Sequence, residues 1–427
     1  MSEIKVIRRG DKVVLIRPDL PAWAVTNEVG YALLPLLESG MSIEEIAEEA
    51  VAALPGHKKS EICRFVEQIR ASGILLPERE KTRRIPYRLN IVHLSLTDQC
   101  NLRCIYCYAA ERKESRHPLM TADDYRRFID DLLTISPDVN FTLTGGEPLL
   151  SPFWEEIAEY IRGRGQEVDI LTNGTLITEH NIDDIHRLFS CVRMSIDGPT
   201  REIHSLTRGD NLVQVMRAVG LLESSNTPYS LSMTVTKKNI SYIEEMARLW
   251  GNKLHFAPYF PIHGKVDELA ITGDEYFKAL KSAAGVNPLG YCESSLDSAS
   301  VSPCRKCAMG DGEISLSPYG DIYPCQLLHV PEFLAGNVHD KSIVEIYNNS
   351  EVLKRCRALD SDIMEGCRDC AIRRICGGSC RARAYYECGK IDASSPFCHY
   401  EQEAYLDGII SIYQHNIINW ERTDRRD

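Results

Sequence analysis

The chain has 427 residues, 44% of them hydrophobic, enough to bury two or three separate cores. Its formal net charge of −12 argues against the basic stripe that nucleic-acid binding requires, and no apolar run reaches the length of a membrane span. The N-terminus, "MSEIKVIRRGDKVV", lacks an apolar signal region, so the expected compartment is the cytoplasm.

Residues 1–85 read as a small unit. "IKVIRR-GD-KVVLIRP" is a hairpin with Gly10-Asp11 between two β-branched runs. Helices are expected over Val25–Leu37, Ser42–Ala53 and Ser60–Ser72, the second opened by the capping box "SIEE". Gly73 ends the third, "ILLPE" reads as a short strand, and "REKTRRIPYR" as a linker. The result is a winged-helix-like module, but "ESGMSIEEIAEEA" is acidic where a DNA-recognition helix is basic.

From Leu89 the pattern becomes strand, turn, helix, repeated. Strands are expected at Asn90–Leu96, Asn140–Thr144, Val168–Thr172, Val192–Ile196, Ser230–Thr236 and Leu254–Tyr259. The helices between them are Thr121–Ile135, Pro152–Arg164, Glu179–Leu188, Leu212–Ser224 and Ser241–Trp250. This alternation predicts an α/β fold with a parallel sheet, and six strands make a partial (β/α)6 TIM-like barrel over 89–288. "LTDQC", "TGGEP", "TNGT" and "SIDGP" then fall at the C-terminal strand ends, where such folds gather chemistry. After Pro288 the alternation fails. Residues 289–400 are rich in Cys, Gly and Arg, and 401–427 open with a helix expected over Glu401–Trp420, Tyr405, Ile409, Ile412 and Tyr413 on one face.

Sixteen cysteines in a reducing compartment point to metal or catalysis rather than disulfides. Cys63 and Cys191 stand apart and read as small buried apolar residues, while Cys356 and Cys388 match no motif. "CNLRCIYCYA" places Cys100, Cys104 and Cys107 on one loop. Three thiols suit a 4Fe–4S cluster with one iron left open; a zinc completed by a histidine such as His93 is the alternative. The C-x2-C pairs farther on suit zinc ribbons and iron–sulfur sites about equally.

C-x3-C-x2-C with an aromatic, Tyr106, before the last cysteine resembles the radical S-adenosylmethionine (SAM) enzymes. That resemblance implies an open iron chelated by SAM, whose reductive cleavage gives a hydrogen-abstracting 5′-deoxyadenosyl radical. It implies further that Gly145 and Gly146 let the backbone approach SAM and that Glu147 holds its amino group. Thr172 and Asn173 would lie at the third strand end, Ser195 and Asp197 near the ribose or methionyl end, and Arg208 on the methionyl carboxylate. The region after Cys304 is similar to the SPASM extension of that family, which implies two auxiliary 4Fe–4S clusters and three in all. Cluster I would use Cys307, Cys325 and Cys380, with Cys304 preferred as the fourth ligand and Cys292 or an open corner as the alternatives; cluster II would use Cys367, Cys370, Cys376 and Cys398.

The N-terminal module resembles the recognition element of enzymes that modify ribosomally made peptides, in which a leader peptide adds as a strand. The expected function is therefore a radical SAM peptide maturase that installs a crosslink, a thioether first, with a C–C bond or ether next. It would draw electrons from a flavodoxin or ferredoxin. The rivals are a formylglycine-type sulfatase maturase and a zinc scaffold. His255 and His263 are candidates to face the barrel cavity.

Overall fold

The computed structural model describes residues 4–20, 22–54, 56–76, 88–109, 115–259, 261, 268–283, 285–286 and 304–413. Cys292, His263, most of the linker and Trp420 lie outside them.

Strands β1 (Lys5–Arg9), β2 (Lys12–Arg17) and β3 (Ala22–Thr26) form an antiparallel sheet in that order. Arg9 pairs with Lys12 across the Gly10-Asp11 turn, as the hairpin reading expects. Helices α1 (Glu28–Ala32), α2 (Leu34–Glu38), α3 (Ile43–Ala53) and α4 (Lys59–Ala71) follow. The expected helix Val25–Leu37 is thus corrected to a strand end and two short helices. Val25 pairs with Val14, Asn27 caps α1 by accepting from the Gly30 N–H, and Pro35 in the first turn of α2 lacks the donor a continuous helix needs. Ser42 and Glu45 form the expected capping box on α3. Ile74 and Leu75 lie in a turn rather than a strand, with Ile74 buried in the core of the module.

Six parallel strands carry the central layer: β4 (Ile91–Ser95), β5 (Asn140–Thr144), β6 (Glu167–Thr172), β7 (Cys191–Ser195), β8 (Tyr229–Val235) and β9 (Leu254–Pro258). Between them run α5 (Ala122–Ile135), α6 (Trp154–Gly163), α7 (Ile182–Leu188), α8 (Arg201–Arg208), α9 (Leu212–Ser224) and α10 (Ile243–Trp250), with α11 (Gly273–Ser282) after β9. Helix α8 was not anticipated. It is short, capped by Thr200 and stopped by Gly209 at φ +83°.

The cysteine-rich region corrects the expectation of lost regularity. Its strands β10 (Glu313–Leu316), β11 (Asp321–Tyr323) and β12 (Gly336–Asn337) extend the same sheet, in the order β12-β11-β10-β4-β5-β6-β7-β8-β9, with β10 parallel to β4. Helices α12 (Ile343–Asn349), α13 (Glu351–Ala358), α14 (Arg373–Cys376), α15 (Arg381–Cys388) and α16 (Cys398–Tyr413) complete the chain. Ile314, Leu316, Ile343 and Phe397 share the main hydrophobic core, while Met309, Cys325, Leu328, Phe333, Cys356, Ala382 and Tyr386 form a smaller core within the region itself.

Register fixes what each face of the sheet carries. Val92, Phe141, Val168, Ile170, Val192, Met194, Leu231, Phe256 and Ile314 are buried under the helices. The alternate residues face inward: His93, Ser95, Thr142, Thr144, Asp169, Arg193, Ser195, Ser232, Thr234, His255, Glu313 and Ser315. A parallel sheet packed on both faces would be apolar throughout. This one has a polar inner face, which Asp169 and Arg193 reinforce with an ion pair at 2.8 Å.

Candidate active site and thiol clusters

The loop after β4 is pinned from three directions. The Gly146 N–H donates to the Thr97 carbonyl at 2.7 Å and the Glu147 N–H to the Gln99 carbonyl at 2.8 Å. The Ile105 N–H reaches the Thr207 carbonyl at 3.0 Å. A Cβ on Gly145 would sit 2.3 Å from the Thr97 oxygen, and one on Gly146 would sit 2.2 Å from the Gln99 oxygen. The close approach these glycines permit is therefore to the thiol loop.

Glu147 is fully buried at the end of β5. Its carboxylate accepts from the Thr172 hydroxyl at 2.7 Å, the Asn173 N–H at 2.8 Å and the Leu149 N–H at 3.2 Å. Burial raises its pKa against these donors, chiefly the Asn173 amide. Asn173 also donates to Asn101 at 2.8 Å and lies 3.9 Å from the Cys100 sulfur. Thr172 and Asn173 thus tie the third strand end to the loop.

On the opposite side Tyr106 is the node. Its hydroxyl donates to Asp197 and accepts from Arg208 Nη1 at 2.7 Å. Asp197 is fully buried and also accepts from the Thr207 hydroxyl at 2.8 Å and the Thr234 N–H at 3.1 Å. Burial works against the charge of Arg208, but Tyr106 and Asp197 more than offset it and hold the guanidinium protonated. Burial also raises the Tyr106 phenol well above its usual range and raises Cys104, which Arg208 opposes. His204 and Asn211 complete the network: the Asp197 N–H donates to His204 Nδ1 at 3.2 Å, and His204 Nε2 meets Asn211 Oδ1 at 3.1 Å. His204 and Thr207 were missed because their helix was missed, and Asn211 because it caps the next one; His204 and Arg208 at i and i+4 were the available signal.

The Nε of Arg208 is buried without a partner. A guanidinium held charged with one donor unmet fits a carboxylate such as SAM carries. Ser195, half-buried at the end of β7, stands on the same rim.

Among the cysteines, Cys307, Cys325 and Cys380 act on one another electrostatically, and Cys370, Cys376, Cys367 and Cys398 form a second set. Burial pushes Cys307 to about 11 and raises Cys325 and Cys376 further. In several of these sulfurs the backbone N–H two residues on is the donor: Leu102 to Cys100 and Leu327 to Cys325, both at 3.4 Å, Met309 to Cys307, Ile372 to Cys370 and Gly378 to Cys376. Amides aimed at sulfur stabilise thiolate, so these residues fit iron–sulfur clusters. Among the described residues, no three His, Cys, Asp or Glu converge as a single metal ion requires. A cube spreads its ligands over four irons. Cys304 and Cys388 differ: their thiols face the Lys306 carbonyl at 3.4 Å and the Ser394 carbonyl at 3.9 Å.

Residues 94–249 match the radical SAM superfamily, and residues 300–371 match the SPASM iron–sulfur cluster-binding domain. The chain belongs to the radical SAM superfamily. An AdoMet-dependent heme synthase of Methanosarcina barkeri is 28% identical over 345 residues, covering 73% of this chain and 96% of that protein. The mycofactocin maturase MftC of Mycobacterium tuberculosis is 25% identical over 333 residues, covering 71% and 81%. The fold of Streptococcus suis SuiB superposes with a TM-score of 0.57 at 14% identity, over 92% of this chain and 98% of that one. As a radical SAM protein with a SPASM domain, the chain is an enzyme of iron–sulfur and SAM chemistry. No described helix is long and apolar enough to cross a membrane.

Proposed function

We propose that this radical SAM enzyme modifies a ribosomally made precursor peptide, forming a crosslink with a thioether as first choice. Bound at the loop thiols, a 4Fe–4S cluster and SAM supply one-electron cleavage of a carbon–sulfur bond and a carbon radical that takes hydrogen. The protein's own part is positional. Cys100, Cys104 and Cys107 hold the cluster; Arg208, braced by Tyr106 and Asp197, takes the methionyl carboxylate. The Glu147–Thr172–Asn173 array holds the loop and offers a carboxylate to the amino group. The polar inner face of the sheet suits a peptide backbone, which brings its own donors and acceptors. Auxiliary clusters on Cys307, Cys325 and Cys380 and on Cys367, Cys370, Cys376 and Cys398 bring the total to three, with a flavodoxin or ferredoxin as electron source.

The observation that carries the peptide reading is the N-terminal sheet. Strand β1 is an edge with no partner strand beyond it among the described residues, and its outward side chains are exposed or half-buried. That is the form in which a leader peptide adds as a strand. The 8% of the chain outside the SuiB match is smaller than this 85-residue unit, and a SuiB structure is described as bound to its precursor peptide SuiA.

The test is anaerobic turnover of the full-length, reconstituted enzyme with short peptides encoded beside it. The expected result is 5′-deoxyadenosine together with a peptide lighter by two hydrogens per crosslink, both lost in Cys100→Ala. Excess isolated leader should compete and raise the KM for the whole peptide. Deleting residues 1–85 is a poor substitute, because it uncovers Ile375, Leu406 and Ile409. The 28% identity to a heme synthase favours a second reading, a tetrapyrrole substrate. Heme formation with no change in any peptide would select it.

A further inference from the structure

We propose that a cavity at the β11–β12 end of the sheet binds lysine or arginine side chains of the substrate peptide. The proposal deepens the peptide reading and rests on it. The cavity has a volume of about 1100 Å³ and lies where β11, β12, the segment 329–334, the C-terminal end of α15 and residues 115–117 meet. That exceeds the roughly 300–1,000 Å³ of small-molecule sites and suits a stretch of chain better than a metabolite.

Register places the cavity on the polar face of the sheet. Ser315 of β10 pairs with His93 of β4 on one side and with Tyr323 of β11 on the other, so Tyr323 stands on the face that carries His93. The Ser315 hydroxyl meets His329 Nε2 at 2.8 Å. Asp321, two residues before Tyr323, shares that face and accepts from Asn337 Nδ2 at 2.7 Å. A peptide lying on the inner face of the barrel therefore reaches the cavity by running sideways across β4 and β10.

Its walls are aromatic. Tyr323 and His329 stack with ring centroids 4.3 Å apart, and Tyr385 stands against Tyr386 at 5.3 Å. Its rim is acidic. Glu332 and Glu387 are exposed, and neither forms an ion pair among the described residues. Arg116 is the only lysine or arginine among the described residues that line the cavity. Rings beside unpaired carboxylates favour a cation, through the ring quadrupole and through charge complementarity. A peptide lysine or arginine satisfies both, its apolar stem along the rings and its charged head at Glu332 or Glu387. The same carboxylates repel the acid side chains of a tetrapyrrole.

The probe is acetyl-tetralysine amide, with acetyl-tetraglutamate amide as its opposite, titrated calorimetrically into full-length, anaerobically reconstituted enzyme. Tetralysine should bind and tetraglutamate should not. Because the whole chain is acidic, variants separate the cavity from the general field. Glu332→Gln with Glu387→Gln should weaken tetralysine about tenfold, as the loss of two partly exposed ion pairs allows. Tyr385→Leu should weaken it with no change in charge. Asp183→Asn with Glu244→Gln, exposed carboxylates on α7 and α10 away from β11 and β12, should leave it unchanged. Iron per chain at the parent value shows that each variant folds. Equal affinity in the parent and the cavity variants, or binding of tetraglutamate, overturns the proposal. The readout is binding and needs no turnover, so the two readings fail separately. Cavity-dependent binding in an enzyme that leaves every peptide unchanged removes the peptide function and keeps a cation site; peptide turnover without cavity-dependent binding removes the site alone.

Discussion

Replacing Tyr106 with Phe removes one oxygen and leaves the ring in place. The hydroxyl does two things at once: it donates to Asp197, and it accepts from Arg208 Nη1 at 2.7 Å. Asp197 keeps the Thr207 hydroxyl at 2.8 Å and the Thr234 N–H at 3.1 Å, so its loss is small. Arg208 is the residue that suffers. It is 8% exposed, its Nε already lacks a partner, and the change strands a second donor. A buried charged donor left unmet costs about 1–3 kcal/mol. If Arg208 swings to find another acceptor, the carboxylate of SAM loses that same contact, and about 1–3 kcal/mol is roughly a 5- to 150-fold loss of affinity. Equilibrium binding of SAM to the reconstituted variant measures it directly, and uncoupled 5′-deoxyadenosine formation should show the loss mainly in KM. Iron per chain should stay at the parent value, because the three loop thiols are untouched. Unchanged SAM affinity with intact clusters would refute the role given to the Tyr106–Arg208 contact; loss of iron would show that the hydroxyl holds the loop itself.

Gly146→Ala places a carbon 2.2 Å from the Gln99 oxygen, so backbone must move. Overpacking of this kind costs about 1–3 kcal/mol, and iron per chain should fall toward that of Cys100→Ala, whereas Gly220→Ala, with open space around its Cβ, should keep its iron. His204 is fully buried, with the Asp197 amide on Nδ1, and burial lowers its pKa. The unfolded chain takes a proton near the ordinary value of about 6.5 that the folded chain refuses, so stability holds above that pH and falls as pH drops through it. Thermal unfolding between neutral and mildly acidic pH should show this fall, and His204→Gln should flatten it. Ile409→Asp puts an unpaired charge between the N-terminal sheet and α16; limited proteolysis should then release the N-terminal unit, which the parent retains.

Most of the barrel was legible because parallel strands and their helices alternate in long, strongly patterned segments. Asn140–Thr144 and Leu212–Ser224 match residue for residue. The polar inner face was also written in the sequence, in "VHLS", "FTLT", "LSMTV" and "EISL", where apolar residues take every second place. Its meaning needs register, since only pairing shows that all the hydroxyls and charges share one side. Helix α8 escaped because an eight-residue helix carries little periodic signal; Tyr106, Asp197 and Arg208 were each expected at the site, but their contact with one another was not. Strands β10 to β12 are two to four residues long, below the length at which alternation can be recognised. The grouping of cysteines into two sets followed from motif resemblance. The N–H or carbonyl that each sulfur faces exists only in three dimensions, and that is what separates Cys304 from its neighbours.

The N-terminal sheet is used on both faces, which changes how the molecule is divided. Val13, Leu15 and Ala24 pack on the helices of their own unit, as a free-standing module requires. Val14, Ile16 and Val25, which alternate with them, pack on Ile372, Ile375, Leu406 and Ile409. Ile372 and Ile375 lie between Cys370 and Cys376, so the stretch that docks the module is also the stretch assigned to cluster II. Arg9 pairs with Glu403 and Arg374 donates to the Asp19 carbonyl across the same junction. Each apolar side chain buried there contributes about 1.5–3 kcal/mol, and that contribution depends on α14 and α16 holding their places. Burial disfavours ionising the Cys370 and Cys376 thiols, so metal must supply the energy that fixes them. With a cluster bound at these cysteines, as proposed, its filling and the seating of the N-terminal module become one folding event. An enzyme short of that cluster would lose its hold on the N-terminal unit before losing the barrel.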